Sequence, residues 1–193
     1  MNRHPPTSSQ TIGPFFHDGM LRDDARRQVL VVPETAGVRL RLEGYVYDGD
    51  GQGVPDAMIE IWQANHHGRY RHPADQRAAP LDPTFSGFGR CGSDAAGFYW
   101  FETIKPGRVP FDDQRTQAPH ICVAVFARGL LNHLMTRIYF ADEPANTEDP
   151  VLGCVPAERQ GTLLARRQSA DGAAMYRFDI VLQGAGETVF FNL

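Results

Sequence analysis

The chain has 193 residues, 42% hydrophobic and 22% charged, enough for one domain to bury roughly 70% of the surface its unfolded form exposes. Nineteen Lys and Arg against 23 Asp and Glu leave a net charge of −4 with both signs interspersed. That excludes a basic nucleic-acid or membrane-surface binder and leaves small molecules and proteins as the expected ligands.

Residues 1–30 open the chain as a polar, Pro- and Ser-containing arm, and a single domain is expected over 1–193. The first 20 residues have no apolar core segment and no later stretch is long enough to span a bilayer, so the expected compartment is the cytoplasm. Fourteen Pro and 19 Gly punctuate short runs of Val, Ile, Phe and Tyr. Such punctuation predicts a mostly β fold, an antiparallel β-sandwich with long loops. Strands are expected at 38–47, 57–63, 97–103, 120–127, 134–140, 176–183 and 188–191. A short helix is expected over 156–167, with Pro156 near its start and Leu163 and Leu164 among charged residues.

Two motifs need a structural context that the neighbouring sequence withholds. Asp48-Gly-Asp-Gly-Gln-Gly-Val-Pro-Asp56 opens like a calcium loop, but Ile59 stands where a bidentate Glu is required, so a hairpin turn is expected. Gly87-Phe-Gly-Arg-Cys-Gly92 matches a dinucleotide fingerprint, yet it follows a Pro-rich loop and precedes a strand, with no helix N-terminus for a pyrophosphate. Cys91, Cys122 and Cys154 are widely and irregularly spaced, which argues for thiols over a disulfide framework or a zinc knot.

Candidate ligands concentrate between His66 and Cys122. His66, His67 and His72 fit no standard zinc spacing, and a solvated loop accounts for them. Tyr70 stands apart because Arg69-Tyr70-Arg71-His72 is followed by Ala79-Pro-Leu-Asp-Pro83, Gly87-Phe-Gly-Arg90, Thr103-Ile-Lys-Pro-Gly107 and Pro119-His-Ile-Cys122. With Val46-Tyr-Asp-Gly49, Ile59-Glu-Ile-Trp-Gln-Ala64 and Tyr139-Phe140, this ordered set covers more than half the chain. It resembles the intradiol ring-cleaving dioxygenases, and among them those that cleave protocatechuate (3,4-dihydroxybenzoate) with two homologous subunit types.

The resemblance implies the sandwich of that family and, in its catalytic beta-type subunit, ferric iron held by two tyrosinates and two histidines. Phenolate suits a hard trivalent cation. Histidines two apart on a strand share one face. Tyr70 and His120 match the first tyrosine and the first histidine, whereas Val109 and Cys122 stand at the other two ligand positions. Val109 offers no lone pair and Cys122 offers a soft thiolate. The implied reading is an alpha-type chain with no catalytic residue and no iron of its own, and with Tyr70, Val109, His120 and Cys122 at vestigial metal positions. Another divalent ion on Tyr70, His120 and Cys122, or a satisfied interior, remain alternatives, as do a self-sufficient metal-dependent dioxygenase and a non-enzymatic binding module.

Thr7-Ser-Ser-Gln-Thr-Ile-Gly-Pro-Phe-Phe16, Phe126-Ala-Arg-Gly129 and Gly186-Glu-Thr-Val-Phe-Phe191 resemble alpha-type segments. They imply that Thr11, Gly13, Pro14 and Arg128 bind substrate in the wall of a site on the partner beta subunit, which holds Fe(3+), with the arm 1–30 touching that partner. Read without the resemblance, Arg128 is an exposed strand-end charge and 11–14 a frayed terminus. On an uninterrupted strand Arg128 shares a face with His120 and Cys122. Phe85, Phe88, Phe98, Trp100 and Phe101 are expected mainly in the core, and Phe190 and Phe191 at an interface.

Overall fold

The computed structural model describes residues 13, 18–22, 26–168 and 174–192. Alternation of apolar and polar side chains drives the longest strands. In β1 (Arg39–Tyr47), Leu40, Leu42, Gly44 and Val46 are buried while the residues alternating with them are less so. There follow β2 (Met58–Trp62), β3 (Phe88–Gly92), β4 (Phe98–Ile104), β5 (Val109–Pro110), β6 (Thr116–Gln117), β7 (His120–Phe126), β8 (Leu134–Phe140), β9 (Leu164–Arg167), β10 (Ala174–Arg177) and β11 (Ile180–Val181).

Apart from the small β5–β6 ribbon, the strands form one continuous nine-stranded sheet. Its path runs β11-β1-β10-β9-β8-β7-β2-β3, and β4 pairs with the other edge of β1. Residues 26–30 bridge β3, at one end of this path, to β4. Arg27 and Arg90 exchange backbone hydrogen bonds at 2.9 and 3.1 Å, and Leu30 donates to the Glu102 carbonyl at 2.8 Å. The sheet therefore curls into a barrel-like wall whose halves face each other across the main core of Leu42, Ile59, Ile61, Phe85, Phe101, Ile121, Val123 and Ile138. A second, smaller core lies outside β8, where Tyr139, Ala118, Leu152, Val155 and Leu163 pack together.

The mostly β expectation holds, with antiparallel ladders at β1–β4, β2–β3, β2–β7, β7–β8 and β9–β10. The pairs β1–β10, β1–β11 and β8–β9 are parallel, a mixture that alternation alone does not encode. The segment expected as one strand over 176–183 is divided at Phe178–Asp179, where the Asp179 carboxylate accepts the Tyr45 N–H at 3.1 Å. The helix expected over 156–167 is only one turn, Ala157–Gln160, followed by a 3-10 turn and then by β9. Phe88–Gly92 is itself a strand, the last of the sheet path, rather than a loop before one. Asp48 does cap a hairpin turn, its Oδ1 accepting the Asp50 and Gln52 N–H groups at 2.9 and 2.8 Å.

Phe85 and Phe101 are core residues as expected. Phe190 and Phe191, expected at an interface, pack half-buried against the chain's own two cores. Phe191 forms a bridge with Met135, held by a 2.7 Å hydrogen bond to its carbonyl. Among the described residues no helix is long and apolar enough to cross a membrane.

Gly44 allows the break between β10 and β11 to nestle against β1, because a Cβ there would lie 1.8 Å from the Phe178 carbonyl oxygen. Gly44→Ala is expected to cost about 3 kcal/mol or more by forcing two strands apart. Gly153→Ala, which meets nothing within 4 Å, is expected to stay within about 0.5 kcal/mol of the parent. Urea unfolding midpoints of the two variants measure the difference.

Candidate functional site

The site lies on the outer face of β2, β7 and β8. In β7 the odd residues Ile121, Val123 and Val125 fill the main core, so His120 and Cys122 face the other way. His120 is 2% exposed, and its Nδ1 lies 2.8 Å from the Ala118 carbonyl, leaving Nε2 directed at the Tyr70 hydroxyl 3.4 Å away.

Tyr70 reaches this point on a loop pinned from several sides. The Asn65 Oδ1 accepts the N–H groups of His67 and Arg69, and its Nδ2 donates to the Pro80 carbonyl. The Gly107 N–H donates to the Asn65 carbonyl, locking the Lys105-Pro-Gly107 loop against this one. Gly68 adopts φ 76°, and a Cβ there would meet the Arg108 carbonyl oxygen at 1.9 Å, so the interlock requires glycine. Asp75 accepts the Tyr70 N–H at 2.8 Å and is itself gripped by Arg77, whose guanidinium holds the carboxyl far below the usual range. The Tyr70 ring stacks on Trp62 with centroids 5.8 Å apart.

Pairing between β7 and β8 sets Tyr139 opposite His120 and Arg137 opposite Cys122. Arg137 Nη1 donates to the Gln117 Oε1 at 2.6 Å, and Gln117 in turn pairs with Val109, which is buried. The Tyr139 hydroxyl donates to Asp149, whose carboxylate also accepts the N–H groups of Ala118, Val151 and Leu152. Burial pushes the Tyr70 and Tyr139 phenols well above their ordinary range. It raises the Cys122 thiol as well, against the pull of Arg137. Burial, helped by the Arg137 charge, lowers His120 to about 4.

Tyr70 and His120 thus meet, Cys122 lies on the same face of β7, and Val109 is linked to them only through Gln117 and Arg137, whereas the loop histidines remain apart. His67 and His72 are exposed, and His66 packs its Cβ near Gly37. Arg128 is not part of the cluster. β7 ends at Phe126, and Arg128 follows in a turn, roughly 25 Å along the chain path from His120, where it pairs with Asp56 at 2.8 Å. Thr11 and Pro14 lie outside the described residues, and Gly13 is exposed. No motif assigned a role at the site to Arg137, Gln117 or Asp149. The one available signal is a lone charge inside the run Leu134–Phe140.

A family model described as a dioxygenase matches residues 12–184. The protocatechuate 3,4-dioxygenase alpha chain of Burkholderia cepacia is 42% identical over 198 residues, covering 97% of each chain. The chain belongs to the intradiol ring-cleavage dioxygenase family. The beta chain from the same organism is 36% identical, covering 95% of this chain and 78% of its own. A solved dioxygenase domain from a carbohydrate-binding fusion of Streptomyces sp. SirexAA-E superposes with a TM-score of 0.65 at 30% identity, over 94% of this chain and 100% of that one.

The family is iron-dependent in general, and the residues gathered here do not fit a ferric ion. Val109 presents hydrocarbon, Cys122 is a soft donor raised by burial, and Tyr70 and His120 are bonded to each other. Among the described residues, no three His, Cys, Asp or Glu side chains are grouped to hold a metal. Arg137 adds a positive charge, and a second one about 5 Å away would cost roughly 3 kcal/mol per unit charge at an effective dielectric of ~20.

His120 takes up a proton near pH 4 in the fold against 6.5 in an unperturbed chain, so between these values the unfolded state binds more protons. The contribution is complete above about pH 6.5 and is lost as the pH falls toward 4. Stability is expected to drop by about 2 kcal/mol between pH 7 and pH 5 from this residue. In urea titrations at both pH values, His120→Asn should remove that difference.

Proposed function

We propose that this chain is the alpha-type, non-iron-binding subunit of a protocatechuate 3,4-dioxygenase. The observation that carries this reading is the 42% identity to alpha chains along 97% of both lengths. The donor set of the Tyr70 pocket supports it independently, since Cys122 is a soft donor, Val109 offers no ligand atom and Arg137 adds a positive charge opposite Cys122. In this reading a homologous beta-type partner holds the Fe(3+), which supplies Lewis-acid and redox chemistry to the bound catechol.

The assembled enzyme would add both atoms of dioxygen to 3,4-dihydroxybenzoate, break the bond between the two hydroxyl-bearing carbons and release 3-carboxy-cis,cis-muconate. This chain's part is binding and orientation. Arg128 sits far from the chain's own pocket, on an exposed turn, with a side chain 66% accessible. It forms an ion pair with Asp56, a partner that is itself 45% accessible. Such a pair is worth at most about 1 kcal/mol and yields readily to a substrate carboxylate, which a guanidinium grips in bidentate fashion. Gly13 and its neighbours Thr11 and Pro14 would close the wall of the same site, the absence of a side chain at 13 allowing backbone to approach a planar ring.

Iron content and protocatechuate-dependent oxygen uptake, measured for the chain alone and then with a beta-type partner, test the division of labour. Iron and turnover are expected only in the pair; either one in the lone chain overturns the reading. In the pair, Arg128→Ala is expected to raise KM for protocatechuate by about tenfold or more, the worth of a charged hydrogen bond. The kcat should change little. An unchanged KM removes Arg128 from the substrate wall.

A further inference from the structure

The residues on either side of Tyr70 serve a different space. Arg69 and Arg71 line an open cavity of about 610 Å³ together with His72, Pro73 and Leu81, and neither Tyr70 nor His120 is part of its wall. Backbone holds each polar head in place. Arg69 donates from Nη1 to the Ala79 carbonyl at 2.6 Å and from Nη2 to that of Asp75 at 3.4 Å. Arg71 donates from Nη1 to the Pro83 carbonyl at 2.9 Å. The His72 Nδ1 accepts the Ala74 N–H at 3.1 Å, which leaves Nε2 as the donating nitrogen of that ring.

The charges around this cavity do not balance. Among the described residues neither Arg69 nor Arg71 is paired with a carboxylate. Asp75 is the one acid on the wall, and it is already engaged: Arg77 Nε donates to its Oδ1 at 2.8 Å, the Tyr70 N–H donates to its Oδ2 at 2.8 Å, and Arg77 holds the carboxyl far below its usual range. Arg69 is moreover only partly exposed, and its Nε–H is buried with no acceptor. A half-buried guanidinium with an unmatched charge and an unused N–H is costly unless a ligand completes it. On a solvated face charged heads move freely in water, whereas these two are tethered around one space. Pro73 and Leu81, the latter 48% exposed, give that space an apolar side.

We propose that this cavity binds a small organic polyanion, one that carries two or more carboxylates on a hydrocarbon frame. Arg69 and Arg71 each keep N–H donors beyond those their carbonyl acceptors use, so each can grip one carboxylate. The frame rests against Leu81 and Pro73. Few fixed polar groups beside an apolar wall, in a volume of this size, are what small-molecule sites present. An inorganic anion would answer the charge but leave the apolar side wet. The site shares a loop with the Tyr70–His120 pocket and nothing else, and the inference stands without any assignment of substrate or partner.

Isothermal titration calorimetry of the full-length chain with benzene-1,3,5-tricarboxylate tests this. The tricarboxylate is expected to bind saturably at one site per chain, about tenfold more tightly than pyrophosphate, which carries a similar charge and no hydrocarbon. Arg71→Ala is expected to weaken the tricarboxylate by about tenfold or more, and Arg71→Lys, which keeps the charge but loses the planar fork, by less. Leu81→Ser should bring the tricarboxylate down to the affinity of pyrophosphate and leave pyrophosphate unchanged. Arg71 is exposed and its one hydrogen bond among the described residues goes to the Pro83 carbonyl, so its variants are expected to keep the native circular-dichroism spectrum. If they lose it, the comparison of the two anions on the wild type and on Leu81→Ser decides. The proposal is overturned by a tricarboxylate that does not saturate, by equal affinity for pyrophosphate, or by a natively folded Arg71→Ala that binds as the wild type does.

Discussion

Everything at the site depends on the register of β7 between β2 and β8. A strand presents alternate residues to opposite faces, so burying Ile121, Val123 and Val125 in the main core commits His120 and Cys122 to the outer face. The same ladder decides who their neighbours are. Trp62 lies across from Cys122 on one side, with Arg137 across from it on the other, and Tyr139 stands across from His120. A slip of one residue would place hydrocarbon at the site and imidazole in the core, at a cost the fold cannot absorb. The apolar core therefore fixes the polar site, and the two cannot drift independently.

Around that ladder, loops are held by buried side chains that act as hubs. Asn65 collects two backbone N–H groups and donates to Pro80, while Asp149 collects three backbone N–H groups and the Tyr139 hydroxyl. Asn65 thereby closes its own loop onto Pro80, and Asp149 ties the turn that follows it to Ala118 and to β8. A buried acceptor of this kind is costly to remove because every donor it served would be left unpaired, at about 1–3 kcal/mol each.

The strands with clean alternation were legible in the sequence to within a residue or two, as at 38–47, 120–127 and 134–140. Three features were not. β3 is poor in apolar residues, carrying two glycines and an arginine, and it lies in the sheet because Gly89 lets Leu30 and Ile61 approach where a Cβ would lie within 3 Å of both. The division between β10 and β11 depends on the contact of Gly44 with Phe178, a long-range fit with no local signature. In 156–167 the local helical pattern yields after one turn, because Leu164–Arg167 finds β8 and β10 to pair with. At the site, Tyr70, His120, Cys122 and Val109 could be named from their motifs. Arg137 could not, since its meaning comes only from the residue opposite.

That last difference bears on why this pocket keeps its polar character. A well-packed apolar cluster of the same volume would serve stability as well as a buried charged network, or better. Conversion by single steps is obstructed, however. Losing Arg137 strands the Gln117 amide oxygen and removes a bond from Tyr139; losing Tyr139 strands Asp149; losing Asp149 releases the N–H groups that shape 149–152 and Ala118. Each removal leaves a buried partner unsatisfied before any apolar neighbour can compensate. A pocket of this kind persists through mutual dependence among its members, and that dependence needs no chemistry at its centre.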